Sequence, residues 1–150
     1  MSFSTASLGG LGEVMILYRP VGTGELRLIA KSGFREFPPR LPDQSIFYPV
    51  LTLEYARKIA RDWNTTDAQS GYAGFATRFE IDAVMASRYP VQLAGGSAHE
   101  ELWVPAEELA ELNRHILGPI AVIEAFTGSR FAGRLDPKSL LPEGFLDMSV

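Results

Sequence analysis

Apolar and polar positions along this chain fall into two rhythms, one of period two and one of period 3.6. Glu13-Val14-Met15-Ile16-Leu17-Tyr18 is an almost unbroken apolar run of strand length and reads as a buried strand. Arg19 follows at its exit, and Pro20 is expected to end the ladder. Gly22-Thr23-Gly24-Glu25 opens a helix with Thr23 as N-cap and Glu25 near the positive end of the dipole. Leu26, Leu28, Ile29 and Ala30 form its apolar side, and Gly33 supplies the C-cap. Phe34-Arg35-Glu36-Phe37 alternates as an edge strand would, and Pro38 to Gln44 is a proline-stiffened loop of the kind that borders sites or merely connects elements.

The second half repeats the two rhythms. Ser45 to Val50 is rich in aromatic and β-branched residues and reads as a short strand. Thr52 caps a helix running to about Trp63, with Ala56, Ile59, Ala60 and Trp63 at helical spacing as its core stripe. Asn64 to Gly74 is polar and loop-like; Phe75 to Ile81 alternates as a strand; Asp82 caps a short helix to Tyr89; and Pro90 leads into extended Val91-Gln92-Leu93. Pro105 is placed in the first turn of a helix whose stripe is Leu109, Leu112 and Ile116, and Ile120 to Phe126 is a last strand. The roughly six strands and three or four helices do not alternate strictly, which predicts an α+β fold of mostly antiparallel, split sheets with flanking helices. Residues 1–12 read as a loose leader, 13–126 as one domain, and 127–150 as an irregular, partly mobile tail.

One stretch carries chemistry. In Gly95 to Pro105 two glycines and a serine lead into Glu100-Glu101-Leu102-Trp103-Val104. Side chains alternate along a strand, so Glu101 and Trp103 share one face and Leu102 and Val104 the other. If the aliphatic pair faces the core, Glu101 faces a cleft, where a carboxylate on a stiff element can do electrostatic or general-base work. The competing reading is a pair of solvated glutamates at a strand start. Arg19, held on a buried strand, offers a planar fork suited to phosphate or carboxylate, or else pairs with a neighbouring acid.

Composition narrows the classes. With 46% hydrophobic residues in 150, the chain can bury a core. It has no cysteine, which removes disulfides, thiolate nucleophiles and Cys-based metal sites, and which suits a reducing, cytoplasmic setting. The opening residues lack a basic segment followed by an apolar run, so no signal peptide is expected, and no run approaches the ~18 apolar residues of a membrane span. A net charge of −4 without a basic block counts against nucleic acid as partner. No dinucleotide fingerprint, P-loop or nucleophile elbow is present. The two histidines, His99 and His115, have no metal-ligand spacing, so no metal is expected.

The order Leu17-Tyr18-Arg19, then Ile46-Phe47-Tyr48 followed by the helix Glu54-Tyr55-Ala56-Arg57-Lys58-Ile59-Ala60, then Glu101-Leu102-Trp103-Val104-Pro105, resembles the ADP-ribosyltransferase arrangement. Over most of residues 14–126 the chain is also similar to short bacterial proteins carrying the label ADP-ribosylation/crystallin J1. The second half of that label would imply an ADP-ribosyl hydrolase, but those enzymes are longer helical proteins with metal-binding aspartates, and this chain has neither feature. The resemblance implies an ADP-ribosyltransferase-like fold and NAD as cosubstrate. By position, Arg19 would bind the NAD pyrophosphate or ribose, Tyr48 or Phe47 would stack on nicotinamide, and Glu101 would bond a ribose hydroxyl and stabilise the positive charge as the glycosidic bond breaks. His99 and Glu100 would fall on the acceptor side. Phe-Tyr-Pro stands where members carry Ser-Thr-Ser, and His99 where arginine-modifying members carry Glu or Gln, so arginine is not the implied acceptor. The acidic balance favours a protein or small-molecule acceptor. A non-catalytic binding module on the same fold, and an NAD glycohydrolase, are the alternatives.

Overall fold

The computed structural model describes residues 5–7, 12–95 and 99–145. Gly96, Ser97 and Ala98 of the glycine-rich approach, and most of the leader, lie outside the described residues. The fold is α+β: strands β1 (Thr5–Ser7), β2 (Glu13–Val21), β4 (Ala73–Asp82) and β8 (Ala121–Thr127) form one antiparallel sheet in the order β1-β2-β4-β8. Two small antiparallel pairs accompany it, β3 (Ile46–Phe47) with β7 (Val104–Pro105) and β5 (Val91–Leu93) with β6 (Glu100–Leu102). Among the described residues four α-helices join them: α1 (Thr23–Lys31), α2 (Leu53–Asp62), α3 (Ala83–Ala86) and α4 (Leu109–Arg114). Among the described residues, no helix is long and apolar enough to cross a membrane.

Several elements differ from the expectation, each for a local reason. Thr5 to Ser7 pair with Glu13 to Met15, so part of the leader is a strand. Pro20 does not end β2; it lies opposite Ala76, and the ladder runs on to Val21. The N–H of Tyr18 points away from β4, to the Val50 carbonyl at 2.9 Å. Alternate residues of a strand point their N–H groups the same way, so the donor missing at Pro20 costs β2–β4 nothing. Arg19 is therefore inside the strand. It shares a face with Leu17 and Val21, both buried, and takes a core-facing position.

Gly22, rather than Thr23, is the N-cap of α1; the Thr23 hydroxyl instead donates to the Ser70 carbonyl. Ser32 is the C-cap, and Gly33 follows it at φ 77°, the left-handed geometry a terminating glycine supplies. Phe34 to Phe37 is not a strand: Phe34 has φ 60°, and the Phe37 amide donates to the Asn113 side chain while its ring is buried against Phe47 and Phe79. Of Ser45 to Val50 only Ile46 and Phe47 form a ladder. Asp82 caps α3 through the Met85 amide, but the helix is a single turn that ends well before Tyr89. Pro105 belongs to β7, not to a helix, and a 3₁₀ turn at Ala106–Glu108 precedes α4. The irregular segment after β8 docks on the molecule: Leu141 and Phe145 are buried in the main core.

The core lies between the four-stranded sheet and its coverings, with Leu17, Leu26, Ile29, Phe37, Phe47, Phe75, Phe79, Ile81 and Leu102 all nearly solvent-free. On the other face α2 lies across β2, β4 and β8 with only Ala56 and Ala60 buried. Small residues let the helix axis come close. A Cβ placed on Gly74 of β4 would overlap the Ala60 carbonyl. Arg57 then ties the same helix to β8 through two hydrogen bonds to Glu124, at 2.6 and 2.7 Å.

Gly74→Ala is expected to push α2 off the sheet and cost about 1–3 kcal/mol, the range for overpacking a tight contact. Urea unfolding measures it, and an unmoved midpoint would mean that helix and sheet do not meet this closely. Arg57, hydrogen-bonded to Glu124, holds that carboxyl below its ordinary value of 4.5. A depressed carboxyl stabilises the fold above its unfolded pKa and loses that contribution as pH falls through the folded one. The stability difference between wild type and Glu124→Gln should therefore be full above about pH 5.5 and shrink as pH drops below the ordinary carboxylate range. A difference that grows on acidification would contradict the pairing.

Candidate functional site

The cleft of interest is built from a backbone splice. Val50 exchanges both backbone hydrogen bonds with Tyr18 of β2, at 2.8 and 2.9 Å, and also bridges Glu101 of β6. Its neighbours add Leu51 N–H to the Glu100 carbonyl at 3.0 Å and Leu102 N–H to the Pro49 carbonyl at 2.9 Å. Residues far apart in the chain are thereby fixed within one strand spacing of each other. Beside the splice opens a cavity of about 720 Å³, within the usual size for a small-molecule site. Arg19, Tyr48 and Glu101 all line it.

Glu101 is only 8% exposed. The face assignment from the sequence holds: Leu102 and Val104 are buried, whereas Glu101 and Trp103 turn to the cleft. A buried carboxylate needs donors, and each oxygen has one. The Tyr55 hydroxyl donates to Oε2 at 2.9 Å and the Trp103 indole N–H to Oε1 at 2.7 Å. Burial, then the bond to Glu101, pushes the Tyr55 hydroxyl up to about 12. Tyr55 thus remains a donor at any physiological pH.

Arg19 is the second buried charge. Its Nε and Nη2 close on the Glu25 carboxylate at 2.6 and 2.9 Å, a two-bond fork. Its flat face lies 4.6 Å over the Phe47 ring, and Nη1 makes a long 3.4 Å contact to the Tyr48 carbonyl. Phe47 is therefore a buried support beneath the guanidinium and not a wall of the cleft. Tyr48 is 40% exposed and does line it.

His99 and Glu100 are not among the lining residues. His99 stacks on Tyr55, ring centroids 4.6 Å apart, with its Nδ1 3.2 Å from the Ala94 carbonyl. It buttresses the tyrosine that holds Glu101. Glu100 sits on the opposite face of β6 from Glu101, paired with Leu93. His115 lies away from the cleft, its Nδ1 2.6 Å from an Asp82 carboxylate oxygen. Among the described residues no cluster of three or more metal-ligating side chains occurs.

Several lining residues were not expected. Trp63, read as core, is 59% exposed and forms part of the cleft wall. Tyr55, Ile59 and Trp63 are spaced by four, which aligns them on one side of α2. The second stripe, Ala56 and Ala60, is the one that packs on the sheet. The alternative was visible as two parallel i, i+4 rows, of which the smaller residues had to be the packing row. Glu25 reads from the sequence as a dipole-complementing residue, yet with Glu13 it is one of the two acids nearest to Arg19, each six positions away, and only Glu25 lies across a turn. Arg40 and Gln44 come from the proline-stiffened loop and also line the cleft. At the far side Asn64 donates to the Ser70 hydroxyl at 2.8 Å, which donates to Asp67 at 2.6 Å, and this chain of bonds stiffens the polar wall.

Removing one member of a mostly buried ion pair leaves the other charge uncompensated. With side-chain exposures of 9% for Arg19 and 22% for Glu25, Glu25→Gln is expected to cost on the order of 2–3 kcal/mol. Chemical denaturation checks it, and a loss below about 0.5 kcal/mol, the level of an exposed pair, would show that the fork is not what holds Arg19.

No family model matches this chain, and no curated protein or solved structure matches it either.

Proposed function

We propose that the chain is an ADP-ribosyltransferase-like enzyme that takes NAD in this cleft and transfers its ADP-ribose to an acceptor. The observation that carries the reading is convergence. Arg19, Tyr48 and Glu101, named from three separated segments of the sequence, line one cavity of about 720 Å³ with a carboxylate and a guanidinium in its walls. Residues 19, 48 and 101 have no reason of chain proximity to meet.

In this reading the aromatic faces of Tyr48 and Trp103 supply a surface for the nicotinamide ring. Glu101 accepts a hydrogen bond from a ribose hydroxyl and stabilises the positive charge that develops at the ribose carbon. The bond between that carbon and the ring nitrogen breaks, and its electron pair leaves with neutral nicotinamide. The acceptor's nucleophile forms the new bond and releases its proton. With water in that place the product is free ADP-ribose, so a glycohydrolase would share the same site. The acceptor is a protein or small molecule, the partner class that suits a net charge of −4.

A second reading is favoured by two contacts. Both oxygens of Glu101 already hold a donor, and the fork of Arg19 is closed on Glu25. A module that binds a nucleotide-like ligand without turning it over would keep its charges satisfied in this way. Incubating the purified chain with NAD and following nicotinamide by chromatography separates the readings. The enzyme reading expects release, lowered at least about 100-fold in Glu101→Gln, the scale of losing one preorganised charge-stabilising group. Release that persists at the wild-type rate in that variant sinks the role of Glu101, and NAD bound but never cleaved by the wild type favours the module. Free ADP-ribose as sole product without acceptor identifies hydrolysis.

A further inference from the structure

We propose that Arg40 is the principal anion-binding side chain of the cleft and that it takes a phosphate or diphosphate group, with Arg19 in support. The inference rests on the NAD reading only for which diphosphate the cell supplies; the anion site stands on its own geometry.

Arg19 and Arg40 are the two arginines in the cleft wall, and they are not equivalent. The fork of Arg19 is spent on Glu25, which leaves the Nη1 end and its long contact to the Tyr48 carbonyl. Arg40 donates from Nε to the Ile46 carbonyl at 3.1 Å. Among the described residues no carboxylate lies within ion-pair distance of it. Its side chain lines the cleft, and the carboxylates of Glu25 and Asp43 act on it through space without closing an ion pair. A half-buried arginine in a wall with this much open volume is a cation set out for an anion.

The two guanidinium groups are also held as a pair. One is tethered to the carbonyl of residue 46 and the other to that of residue 48. Two residues of chain span at most about 7 Å, so the two cations hang from neighbouring points of one rigid segment. Burial first, and then the Arg19 charge, holds the Arg40 guanidinium below its ordinary pKa. Like charges are kept together here at a cost that a bridging anion would offset. The loop is built to keep them so. Pro38, Pro39 and Pro42 limit its backbone, and Leu41 and Gln44 close a turn through Gln44 N–H to the Leu41 carbonyl at 2.8 Å and Leu41 N–H to Gln44 Oε1 at 3.1 Å. An acceptor with several oxygens on one centre, or on two linked centres, can take the Arg40 fork and the remaining Nη1 of Arg19 at once; a single carboxylate does not.

The experiment is calorimetric titration of the full chain with inorganic pyrophosphate, with orthophosphate and NAD as further arms, at one fixed ionic strength. Wild type is expected to bind pyrophosphate more tightly than orthophosphate. Arg40→Gln is expected to weaken pyrophosphate binding by about tenfold or more, the worth of one charge-assisted contact. Arg40→Lys should fall between, since a point charge replaces a fork. Arg35→Gln, an exposed arginine outside the cleft, should change nothing, and an unmoved thermal midpoint in Arg40→Gln shows that folding is intact. Equal pyrophosphate affinity in wild type and Arg40→Gln overturns the proposal, as does equal weakening by Arg35→Gln or no pyrophosphate binding by wild type. Pyrophosphate binding through Arg40 with no nicotinamide release from NAD sinks the enzyme reading and leaves this one. NAD turnover with NAD affinity unchanged in Arg40→Gln does the reverse.

Discussion

The backbone of Val50 is shared between two strands, β2 and β6, that do not pair with each other. It is hydrogen-bonded to Tyr18 on one side, and its flanking residues are bonded to Glu100 and Leu102 on the other. Strand pairing fixes position to within a fraction of an ångström because each amide has one partner and one register. Everything in the cleft inherits that precision. Arg19 follows Tyr18, Tyr48 precedes the splice by two residues, and Glu101 is the bridge partner itself. A loop contact in place of this splice would leave the same side chains able to drift by the ångström that separates a working site from a loose one.

Arg19 shows how strongly the fold commits to the arrangement. A strand whose Leu17 and Val21 are both sealed in the core has an arginine between them, on the same face. Burying a guanidinium without an anion is prohibitive. Glu25 in the first turn of α1 answers it, and Phe47 covers the flat face of the group. The orientation of α1 and the position of β3 are therefore coupled to one charge. Such pairs add little net stability over a well-packed apolar substitute. This one lies where the sheet borders an open cavity. Arg40 brings a second cation to the same wall, and among the described residues it closes no ion pair.

The sequence made the regular parts of this site legible and hid the irregular ones. The run from Glu13 to Tyr18, the cap at Thr52 and the alternation of Glu101 to Val104 follow from period and cap chemistry, and each appears as read. Pro20 was misjudged because a proline's cost depends on which side of the strand its missing N–H faces, and that depends on the long-range pairing with Ala76. Phe34 to Phe37 alternates like a strand, but its amides are taken elsewhere: Phe34 by the Ile29 carbonyl, Arg35 and Glu36 by the Ser32 hydroxyl, and Phe37 by an asparagine 76 residues away. Trp63 fell on the wrong side of α2 because periodicity gives two stripes on a helix and only packing decides which meets the sheet. Arg40 carried no pattern at all. Its role is visible only once the carbonyls of residues 46 and 48 are seen to face one space. That residues 19, 48 and 101 line one cavity is not legible from periodicity, which carries no information on contacts between distant strands.

The occupied state of Glu101 is compatible with chemistry as well as with mere packing, and the reason is a count of lone pairs. An ionised carboxylate offers about four acceptor positions. Tyr55 and Trp103 fill one on each oxygen, so the remaining positions stay available to a ligand hydroxyl on the cleft side. Two neutral donors fix the plane of the group while cancelling none of its charge, which a lysine or arginine partner would have done. His99, stacked on Tyr55, fixes the donor in turn. Among the described residues no cation pairs with this carboxylate, which is held at the cleft wall by neutral donors alone. Arg19 differs, because its Nε and Nη2 are closed on the Glu25 carboxylate.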